Sequence, residues 1–493
     1  SKQEAIKMAE KAFDEKDITF DNRWARETQV QAWTGNSGKF IWQTQGKAQY
    51  DSLVGSYLPE PGWRIRYRLR DGTTEERAEE YSGWVTNSGN VGITHTLPES
   101  SPAKSLEENE ARNLAKAEII KLYNIDFENL TELEAKSEKK PNRMDWFFRY
   151  RDNRNQVNVG DGELRINIKI AGKEITNIWR EVFVPEDWLR SEEEKQSKNM
   201  PFSLIEALVI ALTILLAVVF GIIRWSKKEF SISIFIKSLI FLMVLRIASL
   251  LNNFSNTIWN FSTSKPYASQ LYQSIFSDLV MSVLFMSFIA ALIIGLTHKL
   301  IQENRNNQSS HIDGIYLGIF ASGILSFVYS LYPQIEPSIG RIWDLNYEIP
   351  FLGGLLSFVG NFIQMTLLYL TICIGLTAVT QNWSKLLPAG VIYVLALGFV
   401  ASMNGSATFE SLLIWTASSL ALSLIIYAIH RDFIQYNVHL IPITVGTMVG
   451  LNIVRYGIVN SHSGVYLIAV LSVLSVSTLA YFWSKQLMKV VEK

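Results

Sequence analysis

The stretch SEEEKQSKNMPFSLIEALVIALTILLAVVFGII, residues 191–223, decides the architecture. Charged side chains are dense before it and sparse after Pro201, so a soluble half gives way here to a membrane half. The whole chain agrees with that division. With 48% hydrophobic residues over 493 positions and a mean hydropathy of +0.12, it is too apolar for a purely soluble protein and too charged for a purely membrane one. The run SEEEKQSKNMP is the composition break that a linker makes.

Beyond it, apolar runs long enough to cross about 30 Å of hydrocarbon, some 20 residues each, recur nine times. They fall near 202–223, 233–251, 271–297, 312–332, 350–380, 386–403, 409–429, 437–458 and 464–483. The sixth is short. The fifth is long enough to tilt, to kink at its glycines or to include a re-entrant part.

Basic residues set the expected orientation. Arg224, Lys227, Lys228, Lys299, Arg305, Lys385, Arg431, Lys485, Lys489 and Lys493 follow the odd-numbered spans, whereas the even-numbered connections hold only Lys265 and Arg341. This bias places the first set and the C-terminus in the cytoplasm of a multi-pass protein, with the N-terminal half extracytoplasmic. Export of some 200 polar residues calls for a signal or anchor ahead of Ser1.

The polar half contains a repeat. EAIKMAEKAF and ITFDN, residues 4–13 and 18–22, answer EARNLAKAEI and IDFEN, residues 110–119 and 125–129, with Glu4, Ala5 and Ala9 matching Glu110, Ala111 and Ala115. WRIRYRL at 63–69 and LRINIKI at 164–170 alternate apolar and polar residues, the signature of a sheet with one wet face. The fold class expected is therefore α+β, two helix-plus-antiparallel-sheet modules at 1–99 and 100–199, followed by an all-α membrane bundle of about nine spans. Membrane helices 1–4 occupy 200–345 and a core bundle of helices 5–9 occupies 346–493. Trp24, Trp33, Trp42, Trp63, Trp84, Trp146, Trp179 and Trp188 are expected mainly as core fillers, with stacking on a glycan or a partner as the alternative. Arg64, Arg66, Arg68 and Arg70 are expected on a solvated face, the sharper alternative being a polyanion site.

Several classes of chemistry are excluded. Balanced charge, 46 basic against 46 acidic residues, gives no field for nucleic acid. Cys373 is the single cysteine, so neither a disulfide framework nor a thiolate zinc site is expected. The chain has no nucleotide-binding glycine loop, no H-E-x-x-H and no G-x-S-x-G. His430, His439 and His462 are read as ordinary surface or interfacial histidines, and no cofactor or metal is expected. Within the spans, Arg246 with Asp278 and Glu410 with Arg455 are expected as charge pairs, or else as a polar mouth.

KKPNRMDWFFRY (139–150), GELRINIKIAGKEI (162–175) with REVFVPEDWLR (180–190), and LNNFSNTIWNFSTSKPYASQL (251–271) together resemble the large bacterial members of the CPBP family of intramembrane proteases, the CAAX protease and bacteriocin-processing group. The resemblance implies PepSY-like modules ahead of the membrane helices. It also implies a core bundle bearing E-E-x-x-x-R, F-x-x-x-H and H-x-x-x-N or H-x-x-x-D. This sequence departs from all three: residues 350–409 contain no Asp, Glu or His, Phe399 is followed four places on by Met403, and Met448 stands where the last histidine would precede Asn452. Met, Ile and Thr do not titrate near neutrality, and general acid–base catalysis contributes about 100- to 10,000-fold.

The reading is a catalytically silent CPBP-like pseudoenzyme, a scaffold, assembly factor or regulator that binds a membrane or extracytoplasmic partner protein or peptide. Phe399, Met403, Met448 and Asn452 would line the vestigial pocket, with Asn361 and Gln364 nearby. The alternatives are an active endopeptidase using Glu410, Glu336, Asp344 or Glu348, and a permease or transporter subunit, which the shortage of midplane polar groups disfavours.

Overall fold

The computed structural model describes residues 1–32, 35–154, 157–227, 230–303, 309–337, 345–381, 383–403, 411–460, 462 and 464–489. They form two units that alternate along the chain: an α+β unit of 1–191, 253–275 and 334–348, and a helical unit of 192–252, 276–333 and 349–493.

The α+β unit is built on the repeat. Helix α1 (Lys2–Asp14) precedes β1 (Trp24–Gln31), β2 (Gly62–Leu69), β3 (Glu80–Thr86) and β4 (Val91–Thr96), an antiparallel meander with two helices, α2 (Gly35–Thr44) and α3 (Lys47–Leu53), inserted after β1 and a short one, α4 (Thr74–Arg77), before β3. Helix α5 (Glu108–Tyr123) precedes a second meander of β5 (Leu130–Lys140), β6 (Arg143–Asp152), β7 (Glu163–Ala171) and β8 (Glu174–Phe183). The matched alanines explain the likeness. Ala5, Ala9, Ala111 and Ala115 are buried, and their small side chains let each helix lie close on its sheet. Ile65 and Tyr67 meet α1 in the first core; Ile166, Ile168 and Ile170 meet α5 in the second.

The cores divide differently from the halves 1–99 and 100–199. Phe40, Ile41, Tyr50 and Leu53, from α2 and α3, belong to the core of the second sheet. Two polar links reinforce this: His95 of β4 bridges Glu79 and Glu174, its Nδ1 lying 2.7 Å from Glu174 Oε1, and the Tyr57 hydroxyl donates to Asp152 at the end of β6. Burial pushes the Asp152 carboxyl up, but hydrogen bonds from the Arg154 side chain, Tyr57 and the Arg154 backbone outweigh it and hold the group below its usual value. A depressed carboxyl stabilises the fold above the unfolded value near about 4, and that contribution is lost as pH falls through the folded value. Acid unfolding of Asp152→Asn, followed by tryptophan fluorescence, is therefore expected to depend less on pH below about 4 than that of the parent; equal slopes would show that the link contributes nothing.

In the helical unit, α6 (Glu186–Ser226) carries the boundary stretch as one continuous helix through Pro201. It is followed by α7 (Ile232–Asn252), the short α8 (Phe254–Trp259), α9 (Tyr267–Ser277), a π-helical stretch (Asp278–Met286) that continues into α10 (Ser287–Glu303), and α11 (His311–Ser330). The chain ends with α12 (Pro350–Gln381), α13 (Trp383–Met403), α14 (Leu412–Asp432), α15 (Leu440–Val459) and α16 (Val465–Lys489). Among the described residues, eight helices are long and apolar enough to cross a membrane, which makes this a multi-pass membrane protein. The expected sixth span is α13, whose apolar stretch Leu387–Ser402 is shorter than those eight. The long fifth span is a single continuous helix, α12, rather than a re-entrant segment.

Phe358 and Phe362 of α12, Val445, Val449 and Ile453 of α15, and Val476 and Ala480 of α16 share the main helical core. Helix α11 meets α15 at glycines: a Cβ on Gly318 would lie 2.5 Å from Thr447 Cβ and 2.7 Å from the Thr444 carbonyl oxygen. Small residues bring helix backbones together in this way where lipid supplies no hydrophobic drive for association.

Candidate functional site

Helix α15 has one buried stripe, Val445, Val449, Ile453 and Tyr456, at the spacing of a helix with one packed face. Asn452 falls beside that stripe and is exposed, as is Arg455 one turn on, while Met448 is half-buried. No hydrogen bond from the Asn452 amide is formed among the described residues. Its seven-residue separation from the end of α15 corresponds to a depth of about 10 Å along the helix. A bare amide at that depth in hydrocarbon is costly unless a partner meets it.

The other residues expected in the vestigial pocket lie on two further helices. Phe399 on α13 lies in an aromatic cluster, its ring 5.0 Å from that of Trp415, which in turn meets Phe202 at 4.8 Å. Met403 is the last residue of α13, and its side chain lies outside the described residues. On α12, Asn361 is half-buried, and Gln364 is exposed because it follows the buried Phe362 and Ile363 out of the packed face.

The intramembrane charges also differ from expectation. Arg246 Nη1 donates to Ser282 Oγ at 3.2 Å, not to Asp278, because the π-helical stretch that begins at Asp278 presents the residue one turn later. Arg455 forms no ion pair among the described residues; Glu410 lies outside them. Of the carboxylates considered for hydrolysis, Glu336 pairs with Lys39 at 3.4 Å, Glu348 accepts from Ser255, and Asp344 lies outside the described residues. Those two carboxylates hold the segment 334–348 within the α+β unit.

His430 on α14 is interfacial rather than at the surface: it is 3% exposed, with Nε2 3.5 Å from Thr377 Oγ1 of α12. Among the described residues no carboxylate joins it and no group of three metal-binding side chains occurs.

The arginine strand β2 supplies what sequence reading missed. Arg68 is 3% exposed and bonds Glu27 through Nε and Nη2, while Nη1 and Nη2 donate to the carbonyls of Phe261 and Ile258 at 2.5 and 2.7 Å. Arg66 donates to the Trp259 carbonyl at 3.1 Å and pairs with Glu80 at 2.6 Å. Two guanidiniums thus add donors to the carbonyls at and just past the end of α8, where a helix dipole favours cations. Burial pushes the Glu27 carboxyl up against the pull of Arg68, and pushes the Arg68 guanidinium down. On the edge strand β1, the buried Asn346 side chain accepts from Val30 N at 2.5 Å and donates to Val30 O at 3.3 Å, closing an open ladder. The face expected to be solvated instead anchors the 253–275 segment, and the 334–348 segment is held at the β1 edge. Trp42 adds to it by donating to the Gln334 carbonyl at 3.0 Å, whereas Trp33 lies outside the described residues.

No family model, no curated protein and no solved structure matches this chain.

Proposed function

We propose that the protein is a silent, CPBP-like membrane scaffold whose α15 face holds a membrane helix of a partner protein without cutting it. The observation that carries this reading is Asn452, an amide exposed on a membrane-length helix with no hydrogen bond among the described residues. A second helix carrying a polar side chain would satisfy it at a contribution of about 1 kcal/mol, enough to select a partner without fixing it permanently. The absence of Asp, Glu and His from residues 350–409 supports holding over hydrolysis.

The test is photo-crosslinking in native membranes from a probe at position 455, exposed one turn from Asn452, compared with one at Leu474, which is 57% exposed on α16. A discrete adduct from 455 alone is expected, lost when Asn452 is also replaced by Leu, together with no cleavage of the captured chain. Equal labelling from both positions, or cleavage of the adduct, would overturn the reading.

A further inference from the structure

The helical unit has a half-open cleft between the start of α7 and the end of α16, with α10 and α12 behind it and a volume of about 320 Å³. Phe241 and Phe482 stand on its two sides, 46% and 58% exposed, while Leu242 and Phe362 of the main helical core line its buried side. Trp483 completes the wall, its ring edge-on to Phe362 at a centroid distance of 6.1 Å. No described residue of α15 lines it, so it is separate from the surface around Asn452.

The polar groups of this cleft are gathered at one end. Lys237 and Ser238 follow the first residue of α7 by five and six positions, and Gln486 precedes the last residue of α16 by three, so all three lie within about 10 Å of a helix end. The apolar lining runs inward from there: Phe241 is one turn deeper on α7, and Phe482 and Leu479 are one and two turns deeper on α16. Lys237 is exposed and is the one cation among the lining residues, none of which is a carboxylate. Among the described residues it forms no ion pair, and the side chains of Ser238 and Gln486 form no hydrogen bond. Lys485, next to Gln486, is instead drawn over the Tyr481 ring, 5.7 Å from its centroid. A cation and two neutral donors at the mouth of an apolar slot match an amphiphile whose head is an anion and whose tail is a hydrocarbon chain.

We propose that this cleft binds an anionic glycerophospholipid, one acyl chain lying along Phe241, Phe482 and Leu479 and the phosphate meeting Lys237, with Ser238 and Gln486 as further donors. The size of the cleft favours a lipid chain over a partner helix. A single helical turn about 10 Å across and 5.4 Å long fills roughly 400 Å³, more than the cleft holds. Its charge favours an anionic head over a zwitterionic one. A choline or ethanolamine head brings an ammonium for which the lining offers no carboxylate, whereas a head with net negative charge leaves nothing unpaired beside Lys237.

The experiment uses the purified full chain in phosphatidylcholine nanodiscs that carry a trace of phosphatidylglycerol with a diazirine midway along one acyl chain, and maps the labelled peptides by mass spectrometry after irradiation. Label is expected at Phe241 and along residues 479–483 of α16. It should be displaced as unlabelled phosphatidylglycerol replaces part of the phosphatidylcholine, and not when phosphatidylethanolamine does. Lys237→Gln, a substitution at an exposed position, is expected to weaken phosphatidylglycerol competition about fivefold, and Lys237→Arg to retain it. Equal competition by phosphatidylethanolamine, label spread evenly over the apolar helices, or a Lys237→Gln protein that behaves like the parent would each overturn the proposal. So would label that appears in discs carrying one copy of the chain and vanishes in discs carrying two, which would assign the cleft to a second copy.

Discussion

Arg68→Ala is expected to cost about 3–5 kcal/mol, because it strands a buried carboxylate and at the same time removes the side-chain donor to the carbonyls of Ile258 and Phe261. Arg68 and Glu27 have side-chain exposures of 4% and 6%, so water cannot replace the lost partner as it does at a surface pair. The loss should be local. Hydrogen exchange of the full chain should rise in β1, β2 and α8, while β5 to β8, whose core lies elsewhere, keep their protection. Replacing both members, as Glu27→Leu with Arg68→Met, should recover most of the stability, since it removes the stranded charge. If Arg68→Ala exchanges like the parent throughout, the arginine strand is not what holds α8.

That prediction marks the limit of what the sequence could show. The two meanders were legible because their signals are local: a period of two within each strand, and alanines at i and i+4 on each helix. The acceptors of Arg66 and Arg68 were not, since they lie 190 and 193 residues further along, between two apolar spans, and no periodicity links a strand to a loop at that distance. The exchange of α2 and α3 into the second core was hidden for the same reason. The site residues are a different case. Phe399, Met403, Met448 and Asn452 come from motif positions and Asn361 and Gln364 from their polarity nearby, but the phase of the buried stripes on α12 and α15 decides which side chains turn inward, and it turns Asn452 and Gln364 out. His430, read as a surface or interfacial histidine from its place near a loop, is of the interfacial kind, and only Arg431 and Asp432 after it reach the surface.

The helical unit offers the second large effect, at a glycine that no sequence pattern singles out. A Cβ at Gly398 of α13 would fall on Ser423 Oγ and on the carbonyl oxygen of Ser419, both in α14, and 2.7 Å from Ser423 N. Two of these three atoms are backbone and cannot turn aside. The close approach serves a polar seam: Ser402 and Ser419 share a hydrogen bond of 2.7 Å across the pair, and Ser419 and Ser423 also bond back to carbonyls one turn earlier. Buried hydroxyls in a membrane helix need such partners, and only a glycine at 398 lets the second helix supply them. Gly398→Val is therefore expected to force the helices apart at a cost of about 3 kcal/mol or more, beyond ordinary overpacking because the seam is unmade as well. Gly360 and Gly450, where an added Cβ meets nothing within 4 Å, serve as controls, and alanine at either should leave stability unchanged or improve it by about 1 kcal/mol. The readout that separates this from general damage is a disulfide between cysteines placed at 402 and 419, which should form readily in the parent and fail in Gly398→Val. A bond that forms equally in both would mean that α13 and α14 do not meet along this seam.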